Sequence, residues 1–179
     1  MKYHEEIGIP VIQEGKSFEF PIHLRLPILP SNCQLVLDPE HGIVSLIIDH
    51  PAEGAKVLHQ TFSPAALRLL VPILKAPDFC PYRYLLAAYD SNWRVLETLL
   101  KAPTVEAVPS FYNLSEIYQQ RLDDAQQSNM EWDMLLRPTR RAIREIVSKM
   151  VIFEMKIINL SVHGYCIKQY KTNIRKRRL

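Results

Sequence analysis

The sequence predicts an α+β fold in which an antiparallel sheet precedes a helical core and a β-hairpin closes the chain. Three observations predict it. Apolar alternation broken by turn residues runs from 34 to 61, a helical apolar period opens at Ser63-Pro64, and two further short apolar runs stand at 157–160 and 165–169.

Residues 1–33 hold short apolar alternations at 7–12 and 18–29. Pro10, Pro21, Pro27 and Pro30 confine them to edge strands or an extended arm, because proline cannot donate to a ladder. Beyond them, 34–37 and 43–48 flank Asp38-Pro39-Glu40-His41-Gly42, a turn by composition. A second turn at 49–54 leads to a third strand over 56–61.

Ser63 is placed to cap a first helix and Pro64 to occupy its first turn. Leu67, Leu69, Leu70, Ile73 and Leu74 give that helix its apolar face, with a kink expected at Pro72. Pro77-Asp78 breaks it, and Pro81 starts a second short helix over 82–89 with Leu85 and Leu86 inward. Ser91 is the expected cap of a third, over 93–101. A long polar helix is then expected over about 115–136, ended by Pro138-Thr139, and a separate helix over 139–150. The hairpin follows, and residues 171–179 form a basic tail.

Charge is divided along the chain. Residues 137–179 carry twelve Lys/Arg against two acids, Glu145 and Glu154, a balance of +10, while residues 1–136 hold ten basic and seventeen acidic residues, a balance of −7. The overall +3 conceals this split, which suits a polyanion at one end of the molecule. At about 100° per residue, Arg140, Arg144, Arg137, Ser148 and Arg141 fall in that order within an arc of roughly 100°. Ile143, Ile146, Val147 and Met150 gather on another side. A charge run is most often a solvated face. Here the arc lacks an acid, a hairpin follows at once, and positive charge continues into the tail. Guanidinium forks match guanine edges or phosphate oxygens two bonds at a time.

This order of parts resembles the OmpR/PhoB-type winged helix–turn–helix DNA-binding domain over roughly residues 34–90 and 137–170. The likeness rests on Phe62-Ser63-Pro64-Ala65-Ala66-Leu67-Arg68-Leu69-Leu70, on Ala76-Pro77-Asp78 before the second helix, on Ile143-Arg144-Glu145-Ile146-Val147-Ser148-Lys149-Met150, and on Gly164-Tyr165-Cys166-Ile167. The resemblance implies one winged-helix domain over 34–170, with a helical insertion at 91–136 that the family lacks. It implies double-stranded DNA as partner, the 139–150 helix in the major groove and the hairpin as wing. The residues it carries over are Arg140, Arg141, Arg144, Ser148 and Lys149, with Ser161 and His163 at the wing. Arg137 shares the basic arc, and Lys156 is expected on phosphate. The wing departs from the family at Val162, where a second glycine is usual, and no receiver domain is expected before the sheet.

For the insertion, two readings stand open. Trp93, Trp132, Phe111, Tyr112 and Tyr118 would form a satellite core, or the thin apolar stripe of the long helix would serve a homodimer or the transcription machinery. The expected function is sequence-specific duplex binding by a bacterial-type transcriptional regulator. The alternative is a protein-interaction or assembly module on the same scaffold. An enzyme is not expected: no HExxH, GxSxG or phosphate-cradling loop occurs among five glycines. Neither a cofactor nor a metal is expected, since Cys33, Cys80 and Cys166 lie far apart in no ligand spacing. No membrane span is expected, and the location read from the sequence is cytoplasmic.

Overall fold

The structure is a computed structural model that describes residues 3–4, 9–10, 21–160 and 163–169. Strands β1 (Tyr3–His4) and β2 (Ile9–Pro10) pair with each other. The main sheet is antiparallel, in the order β3 (Ile22–Leu24), β4 (Cys33–Asp38), β5 (Ile43–His50) and β6 (Gly54–Thr61). Register follows the pleat. Val44, Leu46 and Ile48 alternate with Ile43, Ser45 and Ile47, and the first set is fully buried against the helices. The β4–β5 turn is closed by Gly42, whose φ of 68° a side chain rarely adopts. The expected three strands are present, and β3 adds a fourth at the Pro-punctuated edge.

Helix α1 (Pro64–Lys75) starts as its sequence dictates: the Ser63 hydroxyl accepts from the Ala66 amide at 3.3 Å. Pro72 is accommodated within it. Strand β7 (Cys80–Pro81) then leads into α2 (Tyr82–Asp90). Helix α3 (Trp93–Lys101) is capped by Asn92, whose side chain accepts from Val95 N at 3.1 Å, not by Ser91. Ser91 instead donates to the Ala87 carbonyl at 2.7 Å.

The largest correction concerns the next two helices. They are α4 (Pro109–Gln126) and α5 (Asn129–Lys149), and the break falls at Gln127-Ser128 rather than at Pro138. Pro138 is exposed in mid-α5, so its ring meets solvent and not a packed neighbour. A missing N–H at a solvated position is tolerable when both halves of a helix are held by packing. Thr139, expected at a helix start, is buried and donates to the Leu136 carbonyl at 2.8 Å. A 3₁₀ turn follows, ended by Glu154 in the left-handed region. Strands β8 (Met155–Leu160) and β9 (Gly164–Gln169) then form the hairpin. Strand β7 joins it, giving the order β7-β9-β8.

One hydrophobic core serves every layer. Phe111, Tyr118 and Leu122 of α4, with Leu96 and Leu99 of α3, belong to the same buried cluster as the sheet and α1. Trp93, Tyr112 and Trp132 pack against that cluster half-buried. The expected satellite core is therefore part of the common one. Among the described residues no helix is long and apolar enough to cross a membrane.

Candidate nucleic-acid interface

Helix α5 presents the basic surface and is seated from below. Ile143, Ile146 and Met150 are buried against the core, each side chain contributing roughly 2 kcal/mol of apolar transfer. Val147, expected beside them, is 39% exposed at the margin of that face. Arg137, Arg140, Arg141, Arg144 and Ser148 are all exposed. Because α5 runs unbroken through residue 137, the arc over which these residues share one face is a property of a single cylinder.

Both acids of the basic segment turn away from that face. Glu154 is buried. Glu145 accepts from the Ser63 amide at 2.7 Å and the Ser63 hydroxyl at 2.5 Å, so that it clamps α5 to the start of α1. Burial pushes the Glu145 carboxyl up, but the two Ser63 donors and Lys149 outweigh it and leave it below the ordinary carboxylate value.

The helix break at 127–128 adds one acid that the sequence reading placed on a different helix. Asp133 lies seven residues before Arg140, on the same side of α5, and accepts from its guanidinium at 2.8 Å. The Arg140 and Asp133 side chains are 46% and 61% exposed, so the pair is a solvated one of small strength. Arg137, Arg141 and Arg144 have no carboxylate partner among the described residues.

Lys149 is engaged internally. Its ammonium donates to the Thr61 carbonyl at 2.7 Å and to Glu145 at 3.0 Å, and it lies 5.5 Å from the Phe62 ring centre. It holds the basic helix in place more than it extends the basic surface. Lys156 is exposed on β8, directly opposite Lys168 of β9, which is exposed as well. Like charges facing each other across a ladder are unfavourable unless an anion lies between or beside them. Lys168 was not among the residues the sequence singled out; hairpin register is the signal that finds it.

His163 and the start of β9 are tucked against β7, α2 and α5. Tyr165 pairs with Cys80 and Gly164 with Pro81, and the Tyr82 amide donates to the His163 carbonyl at 3.1 Å. The His163 ring meets Trp132 of α5 edge-on, with centroids 5.1 Å apart, and Tyr82 at 6.0 Å. Tyr82 and Tyr165 meet edge-on at 5.6 Å. This cluster fixes His163 against the protein. Ser161 and the 171–179 tail lie outside the described residues.

Searched against protein families, curated proteins and solved structures, the chain matches none of them. The geometry alone therefore carries the functional reading. What it offers is a row of planar, permanently charged donors on a firmly seated helix, beside a hairpin bearing two facing ammonium groups. Guanidinium and ammonium groups are the side-chain donors that pair with phosphate oxygens, and guanidinium with base edges as well. Among the described residues no three His, Cys, Asp or Glu side chains gather into a metal-binding group.

Proposed function

We propose that the chain is a winged helix–turn–helix protein that binds double-stranded DNA sequence-specifically, in the manner of a bacterial-type transcriptional regulator. The C-terminal half of α5 enters the major groove, and Arg137, Arg141 and Arg144 supply base and phosphate contacts. Lys156 and Lys168 of the hairpin lie on the backbone. The single observation that carries this reading is the exposed row of Arg137, Arg141 and Arg144, which have no carboxylate partner among the described residues, with Glu145 and Glu154 both turned inward. The strand order β7-β9-β8, tying the segment between α1 and α2 to the closing hairpin, supports the winged-helix assignment. Helices α3 and α4 stand where that architecture usually has a short connection. No contact is assigned to His163, whose ring already has partners.

Fluorescence anisotropy of a labelled duplex pool, titrated at several salt concentrations, tests the proposal. Binding should weaken steeply with salt. Arg144→Ala should lose about 1–3 kcal/mol on a selected site and relax preference at one base position. Absence of salt-dependent binding at low ionic strength, or unchanged binding by a variant lacking Arg137, Arg141 and Arg144, would overturn it.

One observation favours a second reading, an interaction module or homodimer. Ile117 of α4 and Met130 and Met134 of α5 are 51%, 75% and 61% exposed. Self-association with no duplex binding would favour that reading over the first.

A further inference from the structure

A concavity of about 540 Å³ opens between the start of α2, helix α4, the first half of α5 and His163, just before β9. That size suits a small organic molecule. Its wall is unusually aromatic: Phe79, Tyr82, Tyr84, Trp132 and His163 all line it. Four separate segments supply those rings, and Trp132 meets Tyr82 and His163 edge-on while Tyr82 and His163 meet at a tilt, which holds three of them in fixed orientation. Phe79 is 40% exposed, large for an aromatic ring that only fills space.

The charge at the rim decides what kind of molecule fits. Arg83 and Glu106 are the charged side chains of the lining. The Arg83 guanidinium is ion-paired with Glu116 and lies 5.1 Å from the Tyr84 ring centre, so its charge is already met from two sides. Glu106 is exposed and has no ion-pair partner among the described residues. Its carboxylate acts on the Tyr84 hydroxyl, which burial pushes up, Arg83 pulls back and Glu106 pushes up again. The pocket thus combines electron-rich ring faces with one uncancelled negative charge. An anion would meet Glu106 and find no free cation; a neutral ring would gain nothing from it.

We propose that this aromatic pocket binds a small organic cation, an alkylammonium or aromatic ammonium group, held by the rings of Tyr82 and Trp132 and by the carboxylate of Glu106. Ring quadrupoles attract such a cation most strongly when it is partly desolvated, as it is in a concave wall. The inference stands apart from duplex binding, since its readout contains no DNA.

The full chain is titrated with benzyltrimethylammonium, with benzyl alcohol as the neutral comparison and benzoate as the anionic one. Trp93→Phe leaves Trp132 as the sole tryptophan, and its emission is the readout. Ligand-observed saturation-transfer NMR on the unsubstituted chain gives the same comparison without any substitution. The expected result is a saturable response to the cation, about tenfold weaker for the neutral probe and absent for benzoate. Glu106→Gln, a change at an exposed site, should weaken the cation several-fold and leave the neutral probe unchanged. No saturable response by either readout overturns the proposal. So does equal affinity for cation and neutral probe, preferential binding of benzoate, or cation affinity indifferent to Glu106→Gln.

Discussion

Replacing Glu145 by glutamine tests the clamp that positions the basic helix. The carboxylate takes two hydrogen bonds from Ser63, at 2.7 and 2.5 Å, and one from Lys149 at 3.0 Å. Glutamine keeps the length and one acceptor oxygen, but loses the charge and with it the Lys149 ion pair. A hydrogen bond to a charged group is worth about 1.5–3 kcal/mol where buried. The Glu145 side chain is 20% exposed and one Ser63 bond can survive, so the expected net loss is about 2 kcal/mol. For a chain of this size that lowers the melting temperature by about 4–8 °C near neutral pH. The pH dependence has a definite sign. Because the folded carboxyl sits below its unfolded value, its stabilisation is complete above about pH 4.3 and is lost as pH falls through the lower, folded value. Thermal melts of both proteins from neutral to acid pH should therefore converge only in acid. Ser63→Ala combined with Glu145→Gln should cost less than the two single losses added. A variant that melts with the parent, or a gap that persists unchanged into acid, would refute the reasoning.

Three further outcomes are expected. Gly164→Ala would place a Cβ 2.8 Å from the Cys80 carbonyl oxygen and into the Phe79 ring, so it should destabilise by about 1–3 kcal/mol in chemical denaturation; an unchanged midpoint would contradict the packing at β7. Lys168→Glu turns a like-charged cross-strand pair into an opposite one, stabilising the hairpin by about 0.2–1 kcal/mol while weakening duplex binding; a variant that binds better would remove the hairpin from the interface. Cys33, Cys80 and Cys166 are all buried, and burial pushes the Cys80 thiol far above its ordinary value. A thiol reagent should label none of the three until denaturant is added, and rapid labelling of the native protein would show the burial to be wrong.

Much of the fold was legible because local chemistry and tertiary packing agree there. Alternation over 43–48 specifies β5 by its inward Val44, Leu46 and Ile48, and Ser63-Pro64 opens α1 where it should. Where they disagree, local rules misled. Pro138 is a strong breaker in an isolated peptide, yet Leu136, Ala142 and Ile143 bury both sides of it and hold one helix through it. Gln127-Ser128, a weak signal, is where the chain turns. Two-residue β7 carries no periodicity at all; only the partner Gly164-Tyr165 makes it a strand. The arginine arc was legible because helical spacing alone sets it. Two details required three dimensions: Asp133 reaching Arg140 through a helix continuous across Pro138, and Lys149 held by the Thr61 carbonyl, 88 residues away.

Helices α3 and α4 look expendable in the sequence, a detour between two recognisable halves. Phe111 at 0% exposure says otherwise. Excising the detour would open a hole beneath Tyr84 and strip apolar cover from α1 and α2, so a shortened chain would lose cohesion before it lost any binding surface. Anyone dissecting this molecule must therefore reshape its exterior residue by residue, because α3 and α4 cannot be lifted out whole.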